Sequence, residues 1–275
     1  MRTYTLINND GETYDITVKD KAFFYNVSGL GYERDIDTQR IEDRYAVLAD
    51  RLNQVNIDGT IRFFQPGAEQ EYFNFAQFCQ NAPLTLVYNP GHGSYYRKGR
   101  VAKIDRKDGT DTLEIKVSFK PTTPWIKDLN KNNDNIVSGG KVYDYTYDYT
   151  YTDTIEGSIV MESDSYLSSP CKLTIYGEVV NPVWRHYVNN QIVATGKVNA
   201  TIPQNHVLII DTTSNPYSIK EFDMMGTLIA DRYADSDFST ERFIRIERGD
   251  NLISAAGDGG VSRLKVEAQI EYATV

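Results

Sequence analysis

The chain has 275 residues, of which 40% are hydrophobic and 24% are charged. That composition is typical of a folded protein, and the length is sufficient for two modest hydrophobic cores. The net charge of −9, from 29 basic and 38 acidic residues, argues against a general nucleic-acid binder, which would need a basic face to displace counterions from phosphates.

The sequence also lacks the usual marks of export and membrane insertion. The N-terminal residues contain no apolar core of a signal peptide, and no run approaches the ~18 apolar residues of a membrane span. The two cysteines, Cys79 and Cys171, predict free and mostly buried thiols in a reducing compartment, while a disulfide between them is left open. We therefore expect no membrane insertion.

The first predicted strands are marked by turn residues. Residues 3–7 and 13–18 flank an Asp-Gly pair, which is a hairpin signal. Residues 34–53 are highly charged and fit either a short helix or a bulged edge strand, with a small preference for the strand. Residues 55–64 predict a further strand.

One segment of the chain has clear helical periodicity. Tyr72, Phe75, Ala76 and Cys79 recur at helical spacing and predict a helix over residues 70–81. The chain then passes through three predicted strands and an Asn/Gly-rich segment that predicts a flexible linker. The strands are at residues 84–88, 95–104 and 112–119, and the linker is at residues 128–140.

The most distinctive pattern is KVYDYTYDYTYTDT at residues 141–154. Tyrosine occupies every second position, so that one strand face would be aromatic and the other would carry Asp and Thr. These residues are Tyr143, Tyr145, Tyr147, Tyr149 and Tyr151. At about 3.3 Å per residue the strand would span roughly 40 Å, which is long for a compact sandwich. It predicts an arm that lies against a partner, with residues 157–161 as the return strand; the alternative is one long hairpin strand inside a single domain.

From residue 170 onward, short strands alternate with turns rich in Asn, Asp, Gly and Pro. This spacing is typical of an antiparallel β-sandwich. Gly249-Asp250-Asn251 predicts a tight turn between two of its strands. The predicted strands are at residues 172–180, 191–201, 206–211, 218–222, 243–247 and 261–272.

Catalytic and metal-binding patterns are missing from the sequence. The histidines, His92, His186 and His206, have no second ligand at metal-site spacing. No nucleophile elbow, phosphate loop or dinucleotide fingerprint is found. We therefore expect neither an enzyme nor a bound cofactor or metal.

A basic cluster beside two tyrosines is the other candidate interaction site. It comprises Arg97, Lys98, Arg100, Lys103, Arg106 and Lys107, of which the first four are the predicted contact residues. Because alternation along a strand places these residues on both faces, they indicate a solvated face or a contact with a subunit or partner protein. The acidic total disfavours a nucleic-acid site.

The order of features along the chain is itself informative. Phe23-Phe24 precede Gly29-Leu30-Gly31, and the aromatic helix is followed by Tyr96 and Gly99-Arg100-Val101. The tyrosine arm, Asn181-Pro182 and Gly249-Asp250-Asn251 come later. In this order the chain resembles, over nearly its whole length, the distal tail protein of long non-contractile-tailed bacteriophages, at the hub of the baseplate.

The resemblance implies a mainly β protein in three parts. They are an N-terminal ring-forming β domain with one helix (1–128), a linker with a tyrosine-rich β-hairpin arm associated with the ring domain (129–165), and a C-terminal galectin-like antiparallel β-sandwich (166–275). The arm would be the belt that embraces the neighbouring subunit, and six copies would close a ring.

The same resemblance implies partners and a location. The ring would join the tail tube protein to the tail-tip and receptor-binding proteins, and it would leave a channel through which DNA passes as cargo. The protein would be made in the host bacterial cytoplasm and would reside at the tail tip of the virion.

The alternative hypothesis is a carbohydrate-binding or carbohydrate-cleaving β-sandwich protein. In it, exposed aromatic residues such as Trp125, Trp184 or the tyrosine face would act as sugar platforms. Trp184, Arg185 and His186 are its candidate sugar contacts, although they do not follow the order of the galectin sugar motif. The favoured interpretation of that segment is a loop and packing group.

Overall fold

The computed structural model describes residues 2–19, 21–108, 112–133, 157–258, 261 and 263–275. The chain divides into two compact units, Met1–Lys127 with Tyr272–Val275, and Asp128–Glu271. Antiparallel strands form both units, and the described residues contain one helix, as the sequence predicts.

The first unit is built on β8, a strand of 14 residues. The first part of β8 pairs with β7 and the second part pairs with β9, so that one strand serves two antiparallel groups, β2-β1-β7-β8 and β3-β6-β9-β8. At Gly99, where β8 passes from one partner to the other, an added Cβ would lie 2.4 Å from the Lys120 carbonyl oxygen. The elements are β1 (Thr3–Ile7), β2 (Thr13–Asp15), β3 (Ala22–Ser28), β4 (Glu33–Ile41), β5 (Arg44–Asn53), β6 (Ile57–Phe64), α1 (Ala68–Gln80), β7 (Leu84–Asn89), β8 (Tyr95–Asp108) and β9 (Thr112–Pro121).

The helix α1 closes the core of the first unit. It begins two residues before the predicted start, and its buried face carries Phe75 and Cys79. The Phe75 ring lies 5.3 Å from that of Tyr14 and 5.9 Å from that of Phe63, so the helix is held by aromatic packing onto the strands. The helical periodicity therefore marks the core-facing side, as predicted.

Strand β10 (Trp125–Asn133) corrects the linker prediction. Residues 128–133 are extended rather than part of a flexible linker, and residues 134–140 lie outside the described part of the chain. Trp125 at the start of the strand is buried, and its indole Nε1 donates a hydrogen bond to the Leu30 carbonyl at 3.1 Å. The Asn- and Lys-rich composition reflects a strand whose later side chains are mostly exposed.

The second unit is a β-sandwich. One sheet has the order β18-β17-β16-β12-β21, and the other has the order β11-β20-β13-β14, with β15 beside β13. Its strands are β11 (Ser158–Ser163), β12 (Ser169–Tyr176), β13 (Val179–Val188), β14 (Gln191–Lys197), β15 (Thr201–Ile202), β16 (His206–Asp211), β17 (Ser218–Asp223), β18 (Leu228–Asp231), β19 (Arg245–Ile246), β20 (Gly249–Asp258) and β21 (Arg263–Tyr272).

Two details of the predicted second half need correction. Strand β11, which the sequence predicts as the return strand of the arm, pairs with β20 from Ser158↔Ser254 to Ser163↔Gly249, so residues 158–163 lie in the second unit and not with the first. Ile159 and Met161 face the core, which explains the pairing. Gly249-Asp250-Asn251 begin β20 instead of forming the turn, which lies just before them.

The two cysteines are free and buried, as predicted, with Cys79 in the first unit and Cys171 in the second. Burial raises the pKa of each thiol to about 12. Both side chains therefore act as small apolar core residues rather than as reactive thiolates.

Candidate assembly surface

The hairpin β4–β5 is the least covered part of the first unit. It forms a separate two-stranded sheet, and neither strand pairs with a third strand among the described residues. The register runs from Glu33↔Asn53 to Ile41↔Arg44. Glu42, in the turn, has a left-handed backbone with φ of 54°. The preference for strand over helix in this charged segment is therefore confirmed.

The two faces of this hairpin differ in chemistry. Directly opposed residues of antiparallel strands project on the same face. The pairs Ile36↔Asp50, Thr38↔Val47 and Arg40↔Tyr45 therefore place three large apolar side chains on one face. These are Ile36, Tyr45 and Val47, which are 52%, 70% and 62% exposed. We call them the apolar face of the hairpin.

The opposite face of the hairpin is more polar. It carries Asp35 opposite Arg51, Asp37 opposite Ala49 and Gln39 opposite Ala46, together with Ile41 opposite Arg44, and the Ile41 side chain is 57% exposed. A bulge between Asp37 and Thr38 leaves Leu48 without a direct partner, and its side chain is 65% exposed. Bulges of this kind increase the local twist of a strand pair.

Little within the described hairpin can stabilise it in isolation. A two-stranded hairpin is marginally stable in water, and an open strand edge with apolar side chains invites pairing with another chain. The Arg34–Asp50 ion pair, at 2.7 Å, is exposed to solvent and contributes little. The apolar face therefore has the properties of a surface that another molecule covers.

Sequence patterns did not single out these residues. Tyr45 and Val47 belong to the apolar run Tyr45–Ala49, and Ile36 lies apart from it among charged residues, so the sequence does not show which of these side chains share a face. The signal emerges when residues 34–53 are folded as a hairpin, because the strand register then brings the three side chains to one face.

The predicted tyrosine arm falls on residues that lie outside the described part of the chain. Its side chains, Tyr143, Tyr145, Tyr147, Tyr149 and Tyr151, therefore stay candidates for a subunit contact on the sequence pattern alone.

The predicted basic cluster is divided between the two faces of β8. Arg97 is only 2% exposed, and its guanidinium lies 4.7 Å from the centre of the Trp125 ring. Burial lowers the pKa of Arg97 to about 10, and its Nε and Nη1 have no hydrogen-bond partner among the described residues. Arg97 is thus a core residue in this structure.

Lys98, Arg100 and Lys103 are exposed. Lys103 forms an ion pair with Asp105 at 3.6 Å, which neutralises part of the positive charge of the cluster. Of the four predicted contact residues, these three are the ones that a partner protein could reach.

Two of the three candidate sugar contacts, Trp184 and His186, are buried in the second unit. Trp184 is completely buried, and its indole Nε1 donates to the Arg242 carbonyl at 2.8 Å. His186 is also buried, with Nε2 3.0 Å from Asn251 Oδ1, and burial lowers its pKa. Arg185 between them points outward. Alternation along β13 therefore separates this trio. The interpretation as a packing group holds for Trp184 and His186, but the predicted loop is wrong, because this segment is part of a strand.

Trp125 is likewise fully buried, so neither tryptophan can act as a sugar platform in this structure. Among the described residues, no group of three or more His, Cys, Asp and Glu side chains could hold a metal ion. The helix that the structure describes is too short and too polar to span a membrane.

The first unit matches a known domain. Residues 3–122 match the family model described as the distal tail protein, N-terminal domain. This range contains the hairpin β4–β5 and the helix α1. No curated protein matches the chain by sequence.

Similar solved structures extend over the whole chain. One is a chain of the phage P2 baseplate in its activated conformation with calcium, with a TM-score of 0.63 and 16% identity over 100% of both chains. The strontium form of that baseplate gives 0.62 and 16% over 100% of both chains. The SPP1 Dit protein gives 0.65 and 12% identity, over 98% of this chain and 99% of that chain. At these identities the likeness concerns the fold.

The chain therefore shares its fold with these chains of the phage P2 baseplate and with the SPP1 Dit protein. More particularly, residues 3–122 match the model of the distal tail protein N-terminal domain, in agreement with the family that the sequence resembles.

Proposed function

We propose that this protein is a structural, non-enzymatic distal tail protein. Six copies form a ring that links the tail tube to the tail-tip and adsorption apparatus and leaves a channel for DNA. Support comes from the distal tail match over residues 3–122. Further support comes from the fold, which is similar to chains of the phage P2 baseplate and to the SPP1 Dit protein, described as a paradigm of the hub adsorption apparatus.

The main structural support for a ring is the uncovered apolar face of the hairpin β4–β5. If the hairpin of one subunit lies on a different surface of the next subunit, the contact is heterologous, and repetition closes a ring when the rotation is one-sixth of a turn. Ile36, Tyr45 and Val47 then leave water, and the open strand edges gain a neighbour. The number six comes from the family resemblance.

Two further surfaces take part in this proposal. The tyrosine-rich residues 143–151 provide a second subunit contact, on the strength of their alternating pattern. Lys98, Arg100 and Lys103 face a neighbouring subunit or another tail protein rather than the channel. A net charge of −9 agrees with a channel wall that does not retain passing DNA.

The proposal places the protein at the tail tip of the virion after synthesis in the bacterial cytoplasm. Its partners are other copies of itself, the tail tube protein, and the tail-tip or receptor-binding proteins. DNA is cargo and not a bound ligand.

Light scattering of the purified protein tests the role of the hairpin. We expect the intact chain to have six times the mass of the 31.3 kDa subunit. The double variant Tyr45→Ser/Val47→Ser should shift to the monomer, since the apolar face is lost. The matched control Ala46→Ser/Ala49→Ser alters the opposite face of the same strand and should keep the assembled mass.

Two results would contradict this proposal. One is an unchanged mass for the Tyr45→Ser/Val47→Ser variant. The other is a monomer for the intact chain at every concentration and salt condition, including in the presence of the tail tube protein.

Deletion of residues 142–154 tests the tyrosine contact separately. The deletion should abolish the assembled species while both units retain their cooperative unfolding transitions. A deletion variant that forms the same ring would show that the tyrosine stretch is not a required subunit contact.

A further inference from the structure

The second unit has a cavity of about 760 Å³ that contains three aromatic rings. Tyr217 and Tyr233 are partly exposed, and the Phe243 ring lies between them, with ring centres 5.1 Å from Tyr217 and 6.3 Å from Tyr233. The cavity is large enough for a ligand of several linked rings. Partly exposed aromatic rings in a concave site provide apolar area without burying their polar groups.

The two tyrosines of this cavity are held in place by arginines. The Tyr217 hydroxyl accepts a hydrogen bond from Arg245 Nη1 at 2.9 Å, and the Tyr233 hydroxyl accepts one from Arg242 Nη2 at 2.9 Å. Arg245 Nε in turn donates to the Ser168 hydroxyl at 3.0 Å. Rings fixed in this way lose little conformational entropy when a ligand binds, which favours recognition.

Polar groups reach the same cavity from the edge of the sheet. Lys220 on β17 and Asp231 on β18 are directly opposed and so project on one face, and Ser218 lies on that face two residues before Lys220. Asp231 Oδ1 accepts the Tyr233 backbone N–H at 2.9 Å, which orients the carboxylate. The cavity thus combines aromatic faces with an ammonium donor, a hydroxyl and a carboxylate acceptor.

We propose that this cavity is a binding site for a neutral oligosaccharide. The C–H groups of a pyranose ring carry slight positive charge and pack against the negative faces of Tyr217, Tyr233 or Phe243. Sugar hydroxyls donate to the Asp231 carboxylate and accept from Lys220 Nζ. This site does not include Trp125 or Trp184, the earlier candidate sugar platforms. Binding at it does not require assembly of the ring.

The Asp231 carboxylate, a hydrogen-bond acceptor, favours a sugar over a proline-rich peptide as the ligand of this cavity. Proline-rich segments also pack on tyrosine-lined grooves, but proline has no backbone N–H to donate. A run of consecutive prolines would bring no N–H donor to the Asp231 carboxylate, whereas every free sugar hydroxyl can supply a donor. The pairing of Lys220 with Asp231 beside the rings therefore favours the sugar.

Saturation-transfer NMR with the intact protein tests the site. The probes are neutral oligosaccharides of glucose, galactose, mannose, rhamnose or N-acetylglucosamine at millimolar concentration, with a decaproline peptide as the competing arm. We expect at least one oligosaccharide to bind. Tyr217→Ala and Lys220→Ala should each weaken that binding about tenfold, a loss equivalent to one decade in Kd.

Tyr166→Ala is the matched control, because Tyr166 is an exposed tyrosine of the same unit that packs against an arginine, Arg248, outside the cavity. This variant should bind as the intact protein does. Thermal unfolding identifies any variant that fails to fold, and Lys220→Ala keeps the test decisive if Tyr217→Ala is unstable. The proposal is overturned if no oligosaccharide of the panel binds, if both cavity variants bind normally, or if only decaproline binds.

Discussion

The hairpins β4–β5 and β13–β14 are similar in local construction and opposite in environment. Both turn through left-handed backbone, at Glu42 in the first and at Asn189 and Asn190 in the second. Strand β13 also pairs with β20, and its Trp184 is fully buried. The first hairpin has no third strand among the described residues. Both hairpins can form from their local sequence. Within the described part of the chain, only β13–β14 is covered by other parts of its own unit.

The ion pairs of the two units differ in the same way. Arg34 and Asp50 meet at 2.7 Å in solvent on the hairpin β4–β5. Glu221 and Arg232 meet at 2.6 Å in the second unit, where the Glu221 side chain is only 2% exposed. An Arg–carboxylate pair thus contributes little to stability at the exposed site, whereas breaking the buried pair would be costly. Four substitutions test this difference between the exposed hairpin and the buried second unit.

Trp184→Ala should have the largest effect. Removing a fully buried indole leaves a cavity and an unpaired Arg242 carbonyl, so the free energy of unfolding of the second unit should fall by about 3–5 kcal/mol. Urea unfolding measures this loss. Tyr45→Ala on the exposed hairpin of the first unit is the control and should leave the unfolding transition of the second unit unchanged. Equal losses for the two variants would mean that the contrast between the hairpins is wrong.

Glu221→Gln should lower the free energy of unfolding by about 3 kcal/mol at neutral pH, because a buried charge network loses its centre. Glu221 Oε2 accepts from Arg232 Nε at 2.8 Å and Nη2 at 2.6 Å, and Oε1 contacts His206 Nδ1. Denaturant unfolding at pH 7 measures the loss. Asp50→Asn in the exposed pair is the matched control.

The pH dependence of the Glu221 contribution has a definite sign. Burial alone would raise the pKa of Glu221, but the hydrogen bonds from His206 and Arg232 leave it below the ordinary value. The contribution is therefore present above the unfolded carboxyl pKa of about 4.3, and it is lost as pH falls through the lower folded pKa. Glu221→Gln should flatten the acid side of the stability profile. An unchanged acid slope in this variant would contradict the assignment.

Gly196→Ala should destabilise the second unit by about 1–3 kcal/mol through overpacking. A Cβ at Gly196 would lie 2.1 Å from Trp184 Cζ2, inside the indole ring contact. Thermal unfolding measures the change. Gly31→Ala is the control, because a Cβ there meets nothing within 4 Å. If Gly196→Ala were as well tolerated as Gly31→Ala, the close packing of β14 on Trp184 would be disproved.

Arg34→Ala should have the smallest effect, with no measurable change in the melting temperature of the subunit. The Arg34–Asp50 pair is exposed on both sides, and solvent screens it. A clear fall in the melting temperature would show that the hairpin is stabilised from within and does not need a covering partner.

Hydrophobic periodicity and turn residues predicted the helix α1 and most strands of the second unit. The spacing of Phe75 and Cys79 marks the buried face of α1, and the turn residues after position 170 mark the strands of the second unit. Arg97 could not be distinguished from its exposed neighbours, because its burial depends on Trp125 from another strand. The apolar face of β4–β5 was missed for a related reason, since it depends on cross-strand register.

The aromatic cavity shows the same limit. Tyr217, Tyr233 and Phe243 are separated along the chain, and their rings meet through tertiary packing. The tryptophans that suggested sugar platforms are core residues, because both lie at strand positions whose side chains face the core. Residue type alone therefore indicated that aromatic side chains could bind a ligand, but not which of them line a cavity.

An electron cryomicroscopy reconstruction of the purified intact chain would show whether the hairpin β4–β5 is a contact between subunits of a ring. We predict a closed six-fold ring in which the hairpin β4–β5 of each subunit lies on the next subunit, with Ile36, Tyr45 and Val47 covered. A ring in which these three side chains face solvent, or particles without rotational symmetry, would contradict it.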